Sequence, residues 1–261
     1  MDEIKNGTTP IQESNPEALV DVKNVSMRFR MPQQKIDNIK EFFIKLVKRQ
    51  LKYKEFWVLK NISFHVNRGE SVGILGRNGA GKSTLLKLIS GIIEPTSGCI
   101  TVRGSIVPLL KLGAGFDPNA TGRENLFLNG AMLGYSKKEM QQRYKSIVEF
   151  AELEDFMDMP LKNYSSGMMA RLGFSIAVDV KPDLLIVDEV LAVGDVAFRE
   201  KCAKKIAELQ ATGTTLLLVS HSASQVKELC KSALWIKNGE IVMYDDADKV
   251  SKAYAADCTK K

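Results

Sequence analysis

No run in this chain approaches the roughly 20 consecutive apolar residues that a bilayer-spanning helix requires, so it is expected to be soluble. The N-terminus also lacks the apolar core of a secretory signal. Residues 1–17 are polar, contain Pro10 and Pro16, and read as a disordered tail. Cysteine is scarce: Cys99, Cys202, Cys230 and Cys258 are far apart and form no CxxC or Cys/His pattern. That spacing excludes a zinc site built from closely spaced ligands and suits reduced thiols in a cytosolic protein. Histidine is scarcer still, with only His65 and His221. His65 sits in a strand-like stretch with no partner nearby in sequence and reads as a surface or satisfied histidine. Sustained heptads are absent, which excludes a long coiled coil.

The 261 residues allow one large domain with appendages or two small ones. Hydrophobic residues at 44% and charged residues at 26% are enough for a substantial core. Lys and Arg exceed Asp and Glu by 37 to 31, a net +6. This mild excess fits a nucleotide binder or a protein near an anionic membrane. Nucleic-acid binders are often more basic, with the charge gathered on one face, so no nucleic-acid partner is expected.

The chemistry starts at Gly76-Arg77-Asn78-Gly79-Ala80-Gly81-Lys82-Ser83-Thr84, between strand-like Ser71–Leu75 and helix-like Leu85–Ile89. Glycine, four residues, glycine, lysine and a hydroxyl residue is the phosphate-binding loop pattern, here in its required strand–loop–helix setting. Glycines let the backbone turn its N–H groups toward phosphates, and the helix that follows offers its positive end to the same anion. Lys82 is expected to reach the β- and γ-phosphates of a nucleoside triphosphate and the Ser83 hydroxyl to ligate Mg²⁺.

Around this loop the pattern alternates between strand and helix. Ala18–Phe29 and Val58–Val66 alternate apolar and polar residues, as half-buried strands do. Between them, 31–57 reads as an insertion that becomes amphipathic from Ile36, with Ile39, Phe43, Leu46 and Val47 near helical spacing among lysines. It is either a surface helix packed on its own domain or a helix that docks on a partner or membrane surface. Cys99 to about Leu110 reads as short strands split at Gly104, and Lys111–Pro118 as a loop. Gly122–Leu133 and Lys137–Leu153 read as helices, the second capped by Ser136 with Glu139 three residues on. They belong to a helical insertion over about 117–178. Asp183–Asp188 and Thr214–Ser220 are continuous apolar runs, as strands buried on both faces should be. The fold class is therefore α/β, a P-loop NTPase core with a mainly parallel sheet, an antiparallel part near the N-terminus and an inserted helical subdomain.

Two of the buried strands end in polar groups. Leu184-Leu185-Ile186-Val187 runs into Asp188-Glu189, at the carboxyl edge where such sheets bind ligands. Asp188 is expected to hold Mg²⁺, through water, and Glu189 to act as the general base on the attacking water. Val219-Ser220 runs into His221, placed to sense the γ-phosphate. Tyr164-Ser165-Ser166-Gly167-Met168 opens an amphipathic helix containing Arg171; alone, it is either a second anion site or a helix cap.

The ordered set of phosphate loop, Ser-Ser-Gly helix start, Asp188-Glu189, Gly194-Asp195 and Ser220-His221 resembles the ATP-binding cassette ATPases, over about Leu19–Asp246. The wording is closest to the ATPase subunits that export teichoic acids, O-antigens and capsular polysaccharides. Gly113–Phe116, Thr121–Asn125, Tyr164–Met168 and Asp188–Asp195 carry that likeness. The resemblance implies a single ATPase domain over 18–261, with ATP and Mg²⁺ as cofactors. It implies that Phe29 stacks on adenine, and that Ser165, Ser166 and Gly167 contact ATP held by a second copy of the chain. It places Asp195 at the dimer interface. It further implies an ATP-hydrolysing motor for a separate permease, peripheral on the cytoplasmic face of the inner membrane. The alternative is a soluble cassette ATPase acting on ribosomes or DNA.

Two departures from the family stand out. Tyr164–Met168 replaces the usual Leu-Ser-Gly-Gly-Gln, and no glutamine occurs between Gln50 and Gln141, where the family's metal-touching glutamine belongs. Little chain follows Ala256, so no carbohydrate-binding domain is expected after it, and the permease is expected to select the glycan.

Overall fold

The computed structural model describes residue 15 and residues 17–32, 53–109, 113, 115–187 and 195–259. Most of the expected tail lies outside these residues, as do 33–52, Lys111, Asp188, Glu189 and Gly194. Among the described residues, no helix is long and apolar enough to cross a membrane.

Strand β1 (Val20–Pro32) lies between β2 (Tyr53–Val66) and β4 (Ser97–Val102) in a three-stranded antiparallel sheet. The ladder from Val20↔Val66 runs on to Pro32↔Tyr53. This corrects the expected bounds of the 31–57 insertion, because Met31–Pro32 and Tyr53–Trp57 belong to strands. The physical reason is that Phe56 and Trp57 suit a pleated surface and find cross-strand partners in Phe29 and Arg28. Arg28 also lies 5.6 Å from the Trp57 ring centroid and pairs with Glu55 at 2.8 Å.

The second sheet has the order β5–β6–β7–β3–β8–β9. Its strands are β3 (Ser71–Leu75), β5 (Ile106–Pro108), β6 (Leu184–Val187), β7 (Thr215–Ser220), β8 (Ser232–Lys237) and β9 (Glu240–Asp246). All pairs are parallel except β8 with β9. Because side chains alternate across a strand, each central strand feeds two cores. Leu184, Ile186, Leu217, Val219, Leu234 and Ile236 pack toward the three-stranded sheet and α1 (Lys82–Ile89). Leu185, Val187, Leu216, Leu218, Ala233 and Trp235 face the opposite layer. That layer contains α4 (Ser166–Asp179), α5 (Val196–Ala211), α6 (Ala223–Leu229) and α7 (Ala247–Thr259). A one-residue slip would exchange the two sets, so the register is fixed by burial on both faces.

Helices α2 (Gly122–Met132) and α3 (Lys137–Ala151) and the first half of α4 surround a third core of Leu126, Met140, Ile147, Val148, Tyr164 and Leu172. Thr121 with Glu124 and Ser136 with Glu139 form capping boxes at the starts of α2 and α3.

His65 differs from its expected state. It is half-buried, and its Nδ1 has no hydrogen-bond partner among the described residues. It lines a polar cavity of about 350 Å³ with Asn67, Glu70, Ser232, Tyr244, Asp245 and Asp246. This cavity lies at the amino edge of the parallel strands, opposite the phosphate loop.

Burial pushes the Cys202 and Cys230 thiols up to about 12, whereas Cys99 is exposed. At pH 8 only about one in ten thousand of the buried thiols is ionised, and the thiolate is the reactive form. Titration with a chromogenic disulfide should therefore modify Cys99 first, and Cys202 and Cys230 only when denaturant opens the core. Rapid native labelling of either buried thiol, mapped by peptide mass, would contradict this packing.

Candidate functional site

The loop from Gly76 to Thr84 begins where β3 ends and finishes in the first turn of α1. Gly79 and Gly81 have φ of +80° and +106°, values that L side chains rarely adopt. At Gly81 a side chain would also be blocked, since a Cβ would approach Leu59 Cδ2 to 2.6 Å and the Val58 carbonyl to 2.9 Å. Gly76 is similarly confined by the Ile236 carbonyl at 2.6 Å. The loop is thus clamped between β2 and β8 by its glycines. Arg77, Asn78 and Gly79 are exposed at its tip, while Ala80 is buried and its N–H donates to the Arg77 carbonyl at 3.1 Å.

Lys82 is only 7% exposed, and its ammonium folds back over the loop, donating to the Gly76 carbonyl at 2.6 Å and the Arg77 carbonyl at 3.3 Å. Ser83 is exposed beside it, and Thr84 is half-buried. The donor set is cationic nitrogen, a helix start and hydroxyls, with left-handed glycines bending the backbone around them. Such a set suits an oligophosphate with its magnesium ion.

The topology brings the next residue to the same edge. β3 and β7 are adjacent and parallel, with Leu75 opposite Ser220. Gly76 and His221 therefore continue directly from neighbouring strand ends. The His221 turn is held from below: buried Ser220 Oγ lies 2.8 Å from Gln225 Oε1 and accepts from the Ser222 N–H at 3.0 Å. His221 itself is exposed. On the other side of β7, β6 ends at Val187, the residue before Asp188.

Phe29 is 40% exposed near the outer end of β1. It lies two residues, about 7 Å of strand, beyond Met27. Met27 pairs with Leu59, the residue against Gly81, and Phe56 stands across from Phe29. Phe29 therefore leaves an exposed aromatic side chain on the sheet that packs against the loop.

Ser165 caps α4, accepting from the Met168 N–H at 3.1 Å, and both Ser165 and Ser166 are exposed. The preceding Tyr164 is buried, with its hydroxyl donating to the Phe156 carbonyl at 2.8 Å. A Cβ on Gly122 would come within 2.2 Å of that hydroxyl oxygen. Backbone bonds extend the same junction: Arg123 N–H to Met157 at 2.8 Å, Leu161 N–H to Ala120 at 3.0 Å and Lys162 N–H to Pro118 at 2.8 Å. The loop before α2 is thereby laced to the segment leading into α4. No sequence pattern pointed to this junction; the glycine at 122 was its only trace.

Asp195 caps α5 through the Phe198 N–H at 2.9 Å. That hydrogen bond, followed by the Arg171 guanidinium, holds its carboxyl below the usual carboxylate range. The structure thus brings the phosphate loop and His221 to neighbouring strand ends at one edge of the core, with Phe29 further out on the three-stranded sheet. It places Ser165–Gly167 and Asp195 at the starts of two neighbouring helices.

A family model described as ABC transporter matches residues 59–192. The chain is 44% identical over 240 residues to the O-antigen export system ATP-binding protein RfbB of Klebsiella pneumoniae, covering 91% of this chain and 98% of that protein. It is 42% identical over 232 residues to the teichoic acids export ATP-binding protein TagH of Listeria innocua, covering 89% of this chain and 68% of that protein. Among solved structures, an ATP binding subunit of an ABC transporter superposes with a TM-score of 0.72 at 24% identity, over 91% of this chain and 93% of that one.

Proposed function

Because the chain belongs to the ABC transporter family of ATPases, we propose that it is the ATP-hydrolysing motor of an exporter of lipid-linked polysaccharide, working as a homodimer beneath a separate permease. The observation that carries the glycan reading is the 44% identity to an O-antigen export subunit over 98% of that protein. The glycine-bent loop with Lys82 in the first turn of α1 supports the ATPase chemistry.

In this reading Gly76–Thr84 binds the phosphates of ATP, and Lys82 leaves the Gly76 and Arg77 carbonyls to meet the terminal ones. Phe29 stacks on the adenine. Ser83 and, through water, Asp188 would hold Mg²⁺, which would supply charge neutralisation at the phosphates. Glu189 accepts a proton from the attacking water, and His221 donates toward the γ-phosphate. Ser165, Ser166 and Gly167 at the start of α4 complete the site of a second copy, and two-fold symmetry makes two such sites. ATP closes the pair and hydrolysis releases it, a cycle the permease converts into movement of the glycan. The protein is accordingly peripheral, on the cytoplasmic face of the inner membrane.

Reconstitution tests this reading. The full chain should hydrolyse ATP slowly alone and severalfold faster in proteoliposomes holding a polysaccharide-exporter permease from the same organism and a lipid-linked glycan. Equal stimulation by liposomes without the glycan would point to another cargo. Failure to bind that permease would remove the export reading.

A further inference from the structure

Arg171 has no part in the chemistry above, yet it is the side chain through which three helices meet. Its Nη1 lies 2.8 Å from Glu152 Oε2, at the end of α3, and its Nη2 lies 2.5 Å from Asp195 Oδ2, at the start of α5. The guanidinium carbon sits 4.7 Å from the centroid of the Phe198 ring, and the side chain is 18% exposed. Glu152 uses its other oxygen to accept from Lys201 of α5 at 2.9 Å, and Lys201 also donates to the Phe150 carbonyl at 2.9 Å. Beneath this network Phe150, Phe174 and Phe198 pack as a trio, with centroids 5.9 to 6.3 Å apart.

The geometry demands an arginine. Two carboxylates on different helices are met by separate nitrogens of one planar group, and the flat face rests on an aromatic ring. A lysine offers one point charge and could serve only one of these partners well. Stability alone is a poor explanation of the outer pair. The Asp195 side chain is 61% exposed, and ion pairs of that kind contribute little to folding. What the pair does fix is relative position. Ser165 and Asp195 cap the two helices that Arg171 joins, and both caps are surface groups.

We infer that Arg171 is a positioning residue that fastens the start of α4 to the start of α5, so that Ser165–Gly167 and Asp195 are presented to a second copy of the chain as one rigid unit. The inference rests on the homodimer reading above. With Arg171 in place, a shift of the helical subdomain carries both trans-acting groups together. Without it, each helix start meets the partner separately and the closed pair is less well held.

The test uses the full chain carrying Glu189→Gln, in which ATP should accumulate the closed dimer, followed by sedimentation in Mg-ATP. Adding Arg171→Ala should weaken dimerisation by about fivefold. ATP affinity of the single chain should change by less than about twofold, and Tm by no more than about 4 °C. A merely structural arginine would lower Tm and ATP affinity together. Asp195→Asn should cause a loss at least as large, because it removes a group presented to the partner as well as the pair, and the double variant should be no worse than Asp195→Asn alone, as expected for partners in one interaction. Arg171→Lys should recover less than half of the loss. Dimerisation equal to the parent, or fully additive losses, would overturn the inference. Should Arg171→Ala fail to fold, Arg171→Lys with Asp195→Asn carries the same additivity test. If the Glu189→Gln parent itself stays monomeric in saturating Mg-ATP, the homodimer reading falls and takes this inference with it. A normal parent dimer with unaffected variants sinks the inference alone.

Discussion

Lys82→Ala should reduce kcat/KM for ATP hydrolysis by about a hundredfold or more, with the fold intact. Lys82 is only 7% exposed, and its ammonium is held by two loop carbonyls that in the proposed mechanism it exchanges for the terminal phosphates. In the proposed mechanism, the substitution deletes the ammonium that meets the terminal phosphates. It also leaves the Gly76 carbonyl without that donor. Lys82→Arg should restore little, because a planar fork does not fit where a single point donor is enclosed by glycine backbone. Phosphate release and equilibrium binding of a fluorescent ATP analogue would measure the loss, with a thermal melt as the folding control. Turnover within about threefold of the parent would remove Lys82 from the proposed mechanism.

Glu189→Gln should lower kcat by about 10²–10³-fold while ATP binding is retained, because the amide keeps the shape of the carboxylate but cannot accept the water's proton. In the proposed site ATP binding rests on the loop, Lys82 and Phe29, and none of these is altered. The variant should therefore accumulate with ATP bound and uncleaved, which rapid filtration followed by nucleotide analysis would detect. Normal steady-state turnover would move the base role to another group. This split between lost turnover and preserved binding distinguishes Glu189 from Lys82, whose loss should affect both.

The parts of the fold legible in the sequence were those in which one local pattern has one physical solution. Leu184–Val187 and Thr215–Ser220 are apolar without interruption because helices and a second sheet cover both faces. Gly79, Gly81 and Lys82 announce a phosphate loop because few other loops need those residues at that spacing. The strand ends at Met31–Pro32 and Tyr53–Trp57 are hidden locally because helix-spaced residues lie between Ile36 and Val47. The aromatics of Phe56 and Trp57 reveal their role only across the ladder. Strand Ser232–Lys237 carries no motif of its own, because its partners, β3 and β9, are defined by the sheet order and not by its own residues. Arg171 and Asp195 are 24 residues apart, and nothing local says that they meet.

Tyr164 and Gly122 have a consequence for inheritance and engineering. The hydroxyl occupies the space that any side chain at 122 would need, so the two positions behave as one unit 42 residues apart. Chimaeras between this chain and a relative should take both positions from the same parent. A breakpoint between them risks joining a bulky residue at 122 to a tyrosine at 164, two pieces that cannot share the same space.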